Sequence, residues 1–204
     1  MTHLYLIRHG QSTWNAEGRM QGWADPPLDE VGRQQAAALA ERLRAVALDA
    51  IYSSPLLRAR ETAEAVAVLH GRPVELDDRL KERHLGEWTG LTGDEVEARF
   101  PNRRSSDDWR IGGPPGGEGQ AQLVARAAAA LAEITAAHRE GTVVVMSHGG
   151  TLNAYLAHAL GIPMERRVYF GFENAAIARL RVTDESVALL AAGDRQHLEA
   201  MRSE

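Results

Sequence analysis

Leu4-Tyr5-Leu6-Ile7-Arg8-His9-Gly10 is a short apolar run that stops at an arginine, a histidine and a glycine. An apolar run without polar alternation suits a strand buried on both faces, as in a parallel sheet, and its polar end marks where the chain leaves the core. The pattern returns at Thr142-Val143-Val144-Val145-Met146, which ends at Ser147-His148-Gly149-Gly150. Ala50-Ile51-Tyr52, ending at Ser53-Ser54-Pro55, reads as another strand, and Ile177 to Val182 and Val187 to Leu190 supply further ones near the C-terminus.

Helical patterns fill the intervals. Asp29 is placed to cap a helix running to about Val46, with Val31, Ala38, Leu39, Leu43 and Val46 on one face. Further helices are expected at about 57–70, 121–138 and 150–160. The first of these sets Leu57, Glu61, Ala65 and Val68 in register, the next is Ala-rich with Leu123, Leu131 and Ile134, and the last follows the Gly149-Gly150 turn. Strands alternating with helices predict a mostly parallel sheet covered on both faces, a three-layer α/β/α sandwich. Functional groups then gather at the C-terminal edge of the strands. His9, the Ser53–Arg58 segment and His148 each follow a strand directly, so they share that rim. Residues 21–27 form an irregular connection, and the long 101–119 segment, with Gly112-Gly113-Pro114-Pro115-Gly116-Gly117, is able to cover the rim.

The bulk numbers narrow the class. At 204 residues with no composition break, residues 1–204 read as one domain. Hydrophobic residues at 44% and charged residues at 25% fit an ordinary globular chain. A net charge of −5 argues against a general nucleic-acid binder, so any anion site is local. No apolar run is long enough to span a bilayer and the N-terminus does not read as a signal peptide, so neither a membrane nor export is expected and the cytoplasm is the expected location. Cysteine is absent, which removes thiolate catalysis and Cys-based zinc sites. Lys81 is the single lysine among 23 basic residues, which codon bias explains as well as phosphate chemistry does. Nothing here specifies an oligomeric state.

At the first strand end, a neutral His9 imidazole can attack phosphorus, Arg8 can hold phosphate oxygens through its fork of donors, and Gly10 can let backbone N–H groups approach closely. The bland alternative makes His9 a backbone-satisfied histidine and Arg8 a salt-bridge partner. Glu82 in Leu80-Lys81-Glu82-Arg83-His84-Leu85-Gly86-Glu87-Trp88 reads alone as a surface or turn carboxylate. His148, if protonated, can share phosphoryl oxygens with Arg8 and Arg58 in an all-protein cradle. A metal hydrolase using His9, His148, Glu82 and Asp25 lacks any tight ligand spacing such as His-Glu-x-x-His. A non-catalytic binding module is the other competitor.

Taken together, Arg8-His9-Gly10 through Asn15, the Ser54-Pro55-Leu56-Leu57-Arg58-Ala59-Arg60-Glu61-Thr62-Ala63 segment, the Glu82 segment and Ser147-His148-Gly149 resemble the histidine phosphatase superfamily, in its phosphoglycerate mutase-like branch. The resemblance extends from Leu6 to the Gly193-Asp194-Arg195-Gln196-His197-Leu198 tail. It implies a phosphoglycerate mutase-like fold and a ping-pong course. His9 takes the phosphoryl group, Glu82 protonates the departing alcohol and then activates water, and Arg8, Arg58 and His148 hold the phosphoryl oxygens. Asn15, Gln21 and Gly22 correspond to a segment that binds phosphate and substrate. No cofactor or metal is required for that cycle, and the ligand is a small phosphorylated metabolite or inorganic phosphate. The compact stretch before His148, Gly116-Gly117-Glu118 and Asn174 look phosphatase-type, whereas Glu82-Arg83-His84 with Leu91-Thr92-Gly93 looks mutase-like and Gly119 replaces an expected Ser or Thr. Hydrolysis is the first reading and phosphoglycerate mutase activity the runner-up. Arg60 reads as a solvated partner of Glu64, Glu87 and His84 as structural, and Arg103-Arg104 as a solvated loop pair or the partner of a second anionic group.

Overall fold

A computed structural model of the chain describes residues 1–101, 108–166, 168–199 and 201. Its strands are β1 (Thr2–Arg8), β2 (Ala50–Ser53), β3 (Val74–Leu76), β4 (Thr142–Ser147), β5 (Ile177–Val182) and β6 (Val187–Asp194). The helices are α1 (Thr13–Ala16), α2 (Glu30–Leu43), α3 (Leu57–His70), α4 (Gly93–Arg99), α5 (Asp108–Gly112), α6 (Gln120–Ala137) and α7 (Gly149–Ala159). The strands form one six-stranded sheet in the order β3-β2-β4-β1-β5-β6. The first four in that order run parallel, while β5 and β6 are antiparallel additions.

Burial on both faces explains the unbroken apolar runs. Leu4 and Leu6 of β1 and Val143 and Val145 of β4 pack with Leu131, Ile134, Leu152 and Leu156 from α6 and α7. Ile7, Val144 and Met146 point the other way, into Leu39, Leu43, Ala59, Ala63 and Val66 from α2 and α3. Each fully buried Leu, Ile or Val contributes about 1.5–3 kcal/mol by leaving water, and together they make the three layers. Among the described residues no helix is long and apolar enough to cross a membrane.

Several local expectations need correcting. Val31 is 42% exposed, because the inward face of α2 is Gln35, Ala36, Leu39, Ala40 and Leu43. In α3 the stripe of Leu57, Glu61, Ala65 and Val68 is not the core face. Val68 is 79% exposed, and the buried face is Arg58, Ala59, Thr62, Ala63, Val66 and Ala67. Small side chains bring α3 close to its neighbours, so its large apolar residues mislead about orientation. β3 has no counterpart in the sequence pattern, because an edge strand of three largely exposed residues carries no apolar run. The 101–119 segment contains α5, and Trp109, Arg110 and Ile111 line the cavity over the rim. Arg103 and Arg104 lie outside the described residues.

Candidate active site

Strand register brings the rim together. Arg8 is level with Ser147, and Ser53 with Met146, so His9, His148 and Ser54 emerge side by side from β1, β4 and β2. The His9 and His148 rings are 5.1 Å apart, tilted by 58°. His9 is only 2% exposed. Its backbone is held by Ser147, whose carbonyl accepts the His9 N–H at 3.0 Å, and by the Ala175 and Asn174 donors that reach the His9 carbonyl.

The tautomer of His9 follows from one contact. Nδ1 lies 2.6 Å from the Gly10 carbonyl, which can only accept, so Nδ1 carries the proton and Nε2 keeps its lone pair. Burial, reinforced by the Arg58 and Arg8 charges, holds His9 well below its ordinary pKa of 6.5, and the ring is neutral at physiological pH. That is the form a nucleophile requires.

Gly10 serves a different purpose from the expected one. Its N–H is spent on Thr62 Oγ1 at 3.0 Å. A Cβ there would sit 2.6 Å from the Gly32 carbonyl, so the missing side chain allows α2 to approach the loop that follows His9.

Arg8 donates from Nη1 to the Phe172 carbonyl at 2.8 Å, and Arg58 donates to the Ala24 and Gly22 carbonyls at 2.8 and 2.9 Å. The Nε of each is buried without a hydrogen-bond partner, as is Nδ1 of His148. Burial lowers Arg58 to about 10 against the opposing pull of Glu82 and Asp25, so it stays charged at neutral pH. Three buried, unmatched nitrogens around a neutral imidazole suit an anion with several acceptor oxygens.

Glu82 sits across from them at the start of α7. Its carboxylate accepts from Gly150 N at 3.0 Å and Thr151 N at 3.1 Å, and from Arg83 N at 2.8 Å. The segment that carries it is tethered by Arg126, which donates to the carbonyls of Arg79, Lys81 and Glu82 and pairs with Glu118 at 2.7 Å. Trp23 Nε1 also donates to the Glu82 carbonyl, at 2.6 Å. Nothing in the sequence marks Arg126 or Thr151, and Ser54 stands there only as part of the Ser53–Arg58 segment, with no role of its own. Arg126 stands in an Ala-rich helix where nothing distinguishes it from a solvated arginine.

Asn15, Gln21 and Gly22 all line the same cavity of about 880 Å³ as Arg8, His9, Arg58 and Glu82. Asn15 Oδ1 accepts from Ser12 N and from Asn174 Nδ2, and Gln21 Oε1 accepts from the Ser12 hydroxyl, which leaves the NH₂ of each as a donor. Gly22, at φ +51°, acts through its carbonyl on Arg58 and packs where a Cβ would meet Leu85 at 3.1 Å. Away from Arg8 and Arg58 the cavity wall is mixed, with Ile111, Ala154, Pro163 and Met164 beside His158 and Glu165.

His148 departs from the condition attached to it. It is fully buried, and burial, then Arg58, His9 and Arg8, hold it well below 6.5, so the ring beside His9 is neutral rather than an imidazolium. Asp25, named for a metal set, instead caps α3 by accepting from Leu57 N, and among the described residues no three His, Asp or Glu side chains converge as metal ligands. Arg60 pairs with Glu64 at 3.4 Å as expected, and His84 contacts the Gly116 carbonyl.

The two buried histidines give the fold a pH dependence. On unfolding each ring regains its ordinary proton affinity, so below about pH 6.5 the unfolded chain binds protons that the folded chain refuses. The stability is complete above that value and is lost as pH falls through it. Urea midpoints at about pH 7.5 and 5.5 should therefore differ, with the lower midpoint at acid pH, and His9→Asn/His148→Asn should lose part of that difference. An identical pH dependence in the double variant would contradict this account.

A tautomer-fixed neutral imidazole beside two buried guanidinium groups, with a carboxylate opposite, is a site equipped for phosphoryl transfer. The chain belongs to the histidine phosphatase superfamily (branch 1), whose sequence profile matches residues 4–195. It is 40% identical over 187 residues to a glucosyl-3-phosphoglycerate phosphatase of Mycolicibacterium vanbaalenii, covering 87% of this chain and 83% of that protein. Phosphoserine phosphatase 1 of Hydrogenobacter thermophilus is 35% identical, with coverage of 97% and 95%. A probable phosphoglycerate mutase of Salmonella choleraesuis is 34% identical, with coverage of 98% and 96%. Among solved structures, a mycobacterial glucosyl-3-phosphoglycerate phosphatase in complex with VO3 superposes with a TM-score of 0.85 at 34% identity, over 93% of this chain and 97% of that one. The expected family, the phosphoglycerate mutase-like α/β fold and the phosphatase class agree with these relatives, and the mutase alternative is represented among them.

Proposed function

We propose that this chain is a phosphomonoesterase that hydrolyses small phosphorylated metabolites through a phosphohistidine on His9, without a metal or other cofactor. The observation that carries the reading is the Gly10 carbonyl holding Nδ1–H, which leaves Nε2 as the lone pair in a buried basic pocket. Nε2 attacks phosphorus, the P–O ester bond breaks, and the leaving oxygen takes a proton from Glu82. Water then gives a proton to Glu82 and its oxygen to phosphorus, which releases phosphate and restores His9. Arg8 and Arg58 balance the charge on the non-bridging oxygens, with His148 beside them. The NH₂ groups of Asn15 and Gln21 meet the phosphate or the adjoining part of the substrate, and Gly22 keeps Arg58 in place. Ionised metabolites of this kind do not cross a bilayer unaided, which supports the cytoplasm as the compartment for this reading.

A panel of alkyl and aryl phosphates should show turnover that strong chelators leave unchanged. Loss of activity on chelation, restored by a divalent ion, would refute the all-protein cradle. The mutase reading draws on the Salmonella relative, and it prevails if the chain isomerises phosphoglycerate, when primed with a bisphosphate, faster than it releases phosphate.

A further inference from the structure

Ser54 has no part in the proposed cycle, yet it touches the second histidine. His148 Nε2 lies 2.8 Å from Ser54 Oγ, and both side chains are fully buried at 0% exposure. A hydroxyl brings one proton and two lone pairs, and each nitrogen of a neutral imidazole brings either a proton or a lone pair. The other neighbour of Ser54 Oγ is the Leu56 N–H at 3.3 Å, which can only donate. With the ring proton on Nε2, the serine would accept from both sides and its own proton would be buried without an acceptor among the described residues. With the hydroxyl donating to Nε2, both contacts are satisfied and the ring proton resides on Nδ1. Nδ1 is the His148 atom that is buried without a protein partner, in a ring 5.1 Å from that of His9.

We infer that Ser54 is a positioning residue that fixes His148 as its Nδ1–H tautomer, so that the uncharged ring still presents a donor to a phosphoryl oxygen held beside His9. The inference rests on the reading of His9 as the phosphoryl acceptor. It resolves how a ring kept neutral by its surroundings contributes to an anion cradle: the contribution is one oriented hydrogen bond rather than a charge. A neutral imidazole free in water favours the opposite tautomer, with the proton on Nε2. Without the serine hydroxyl, Nδ1 would therefore revert to a lone pair and oppose the phosphoryl oxygens it should hold.

Long-range proton–nitrogen correlation spectra of histidine-labelled protein at neutral pH read this directly, with His148→Gln used to assign the resonance. The wild-type chain should show His148 protonated on Nδ1, and Ser54→Ala should move the proton to Nε2. Affinity for inorganic phosphate and kcat/KM for an aryl phosphate should then fall by about 10- to 100-fold. Ser54→Thr, which retains the hydroxyl, should restore the tautomer and most of the affinity; if the added methyl prevents folding, the wild-type and Ser54→Ala spectra decide alone. An Nε2–H tautomer in the wild type, a tautomer unmoved by Ser54→Ala, or wild-type phosphate affinity in that variant would each overturn the proposal. Failure to trap phosphate on His9 would remove the cycle while leaving the tautomer result intact, so the two readings fail separately.

Discussion

Replacing His9 by alanine lowers kcat/KM for p-nitrophenyl phosphate by about 10,000-fold or more, while inorganic phosphate still binds within about tenfold of wild type. The two halves of that expectation come from different atoms. Turnover requires the Nε2 lone pair that the Gly10 contact preserves. Binding depends on Arg8 and Arg58, whose guanidinium groups are anchored on the carbonyls of Phe172, Ala24 and Gly22 and do not touch the His9 side chain for support. A variant that neither turns over nor binds would instead mean that the pocket had collapsed. The covalent step is read separately, by alkaline quenching within one turnover of a labelled substrate, since phosphohistidine is acid-labile. Wild-type protein should retain label and the variant should not. Unlabelled wild type, or surviving turnover in His9→Ala, would defeat the assignment.

Much of this site is legible in the sequence because of where the strands stop. Leu4–Ile7 and Val143–Met146 must be buried on both faces, and Arg8, His9 and His148 then fall at one edge with no further assumption. What stays hidden depends on partners distant in the chain. Arg126 binds carbonyls 44 to 47 residues away, and Ser54 meets a histidine 94 residues away, so neither shows a local signal. The buried face of α3 is hidden for a related reason. Its inner surface is built of Ala59, Ala63 and Thr62, while Leu69 and Val68 look outward, so the hydrophobic pattern that marks most helices points the wrong way. The protonation of His148 is likewise a property of the assembled pocket, because it depends on burial beside two arginines rather than on neighbours in sequence.

Glu82→Gln separates the two steps of the cycle. The amide retains an acceptor for Gly150 or Thr151 N–H but has no acidic proton to give and cannot take one from water. An alkoxide departs poorly without a proton, so kcat/KM for an alkyl phosphate, which reports formation of the phosphohistidine, should drop by about 100- to 10,000-fold. Nitrophenolate leaves readily on its own, and the same quantity for p-nitrophenyl phosphate should drop by less than about tenfold. The second step then becomes limiting for the aryl substrate, because water has lost its base. Rapid mixing should consequently show a burst of nitrophenolate approaching one equivalent per chain, followed by slow turnover, with phosphate accumulating on His9. Equal losses for alkyl and aryl esters would show that Glu82 positions the substrate or the α7 terminus and moves no proton. A carboxylate that only neutralised the nearby arginines would give the same equal losses, and neither role would produce the burst.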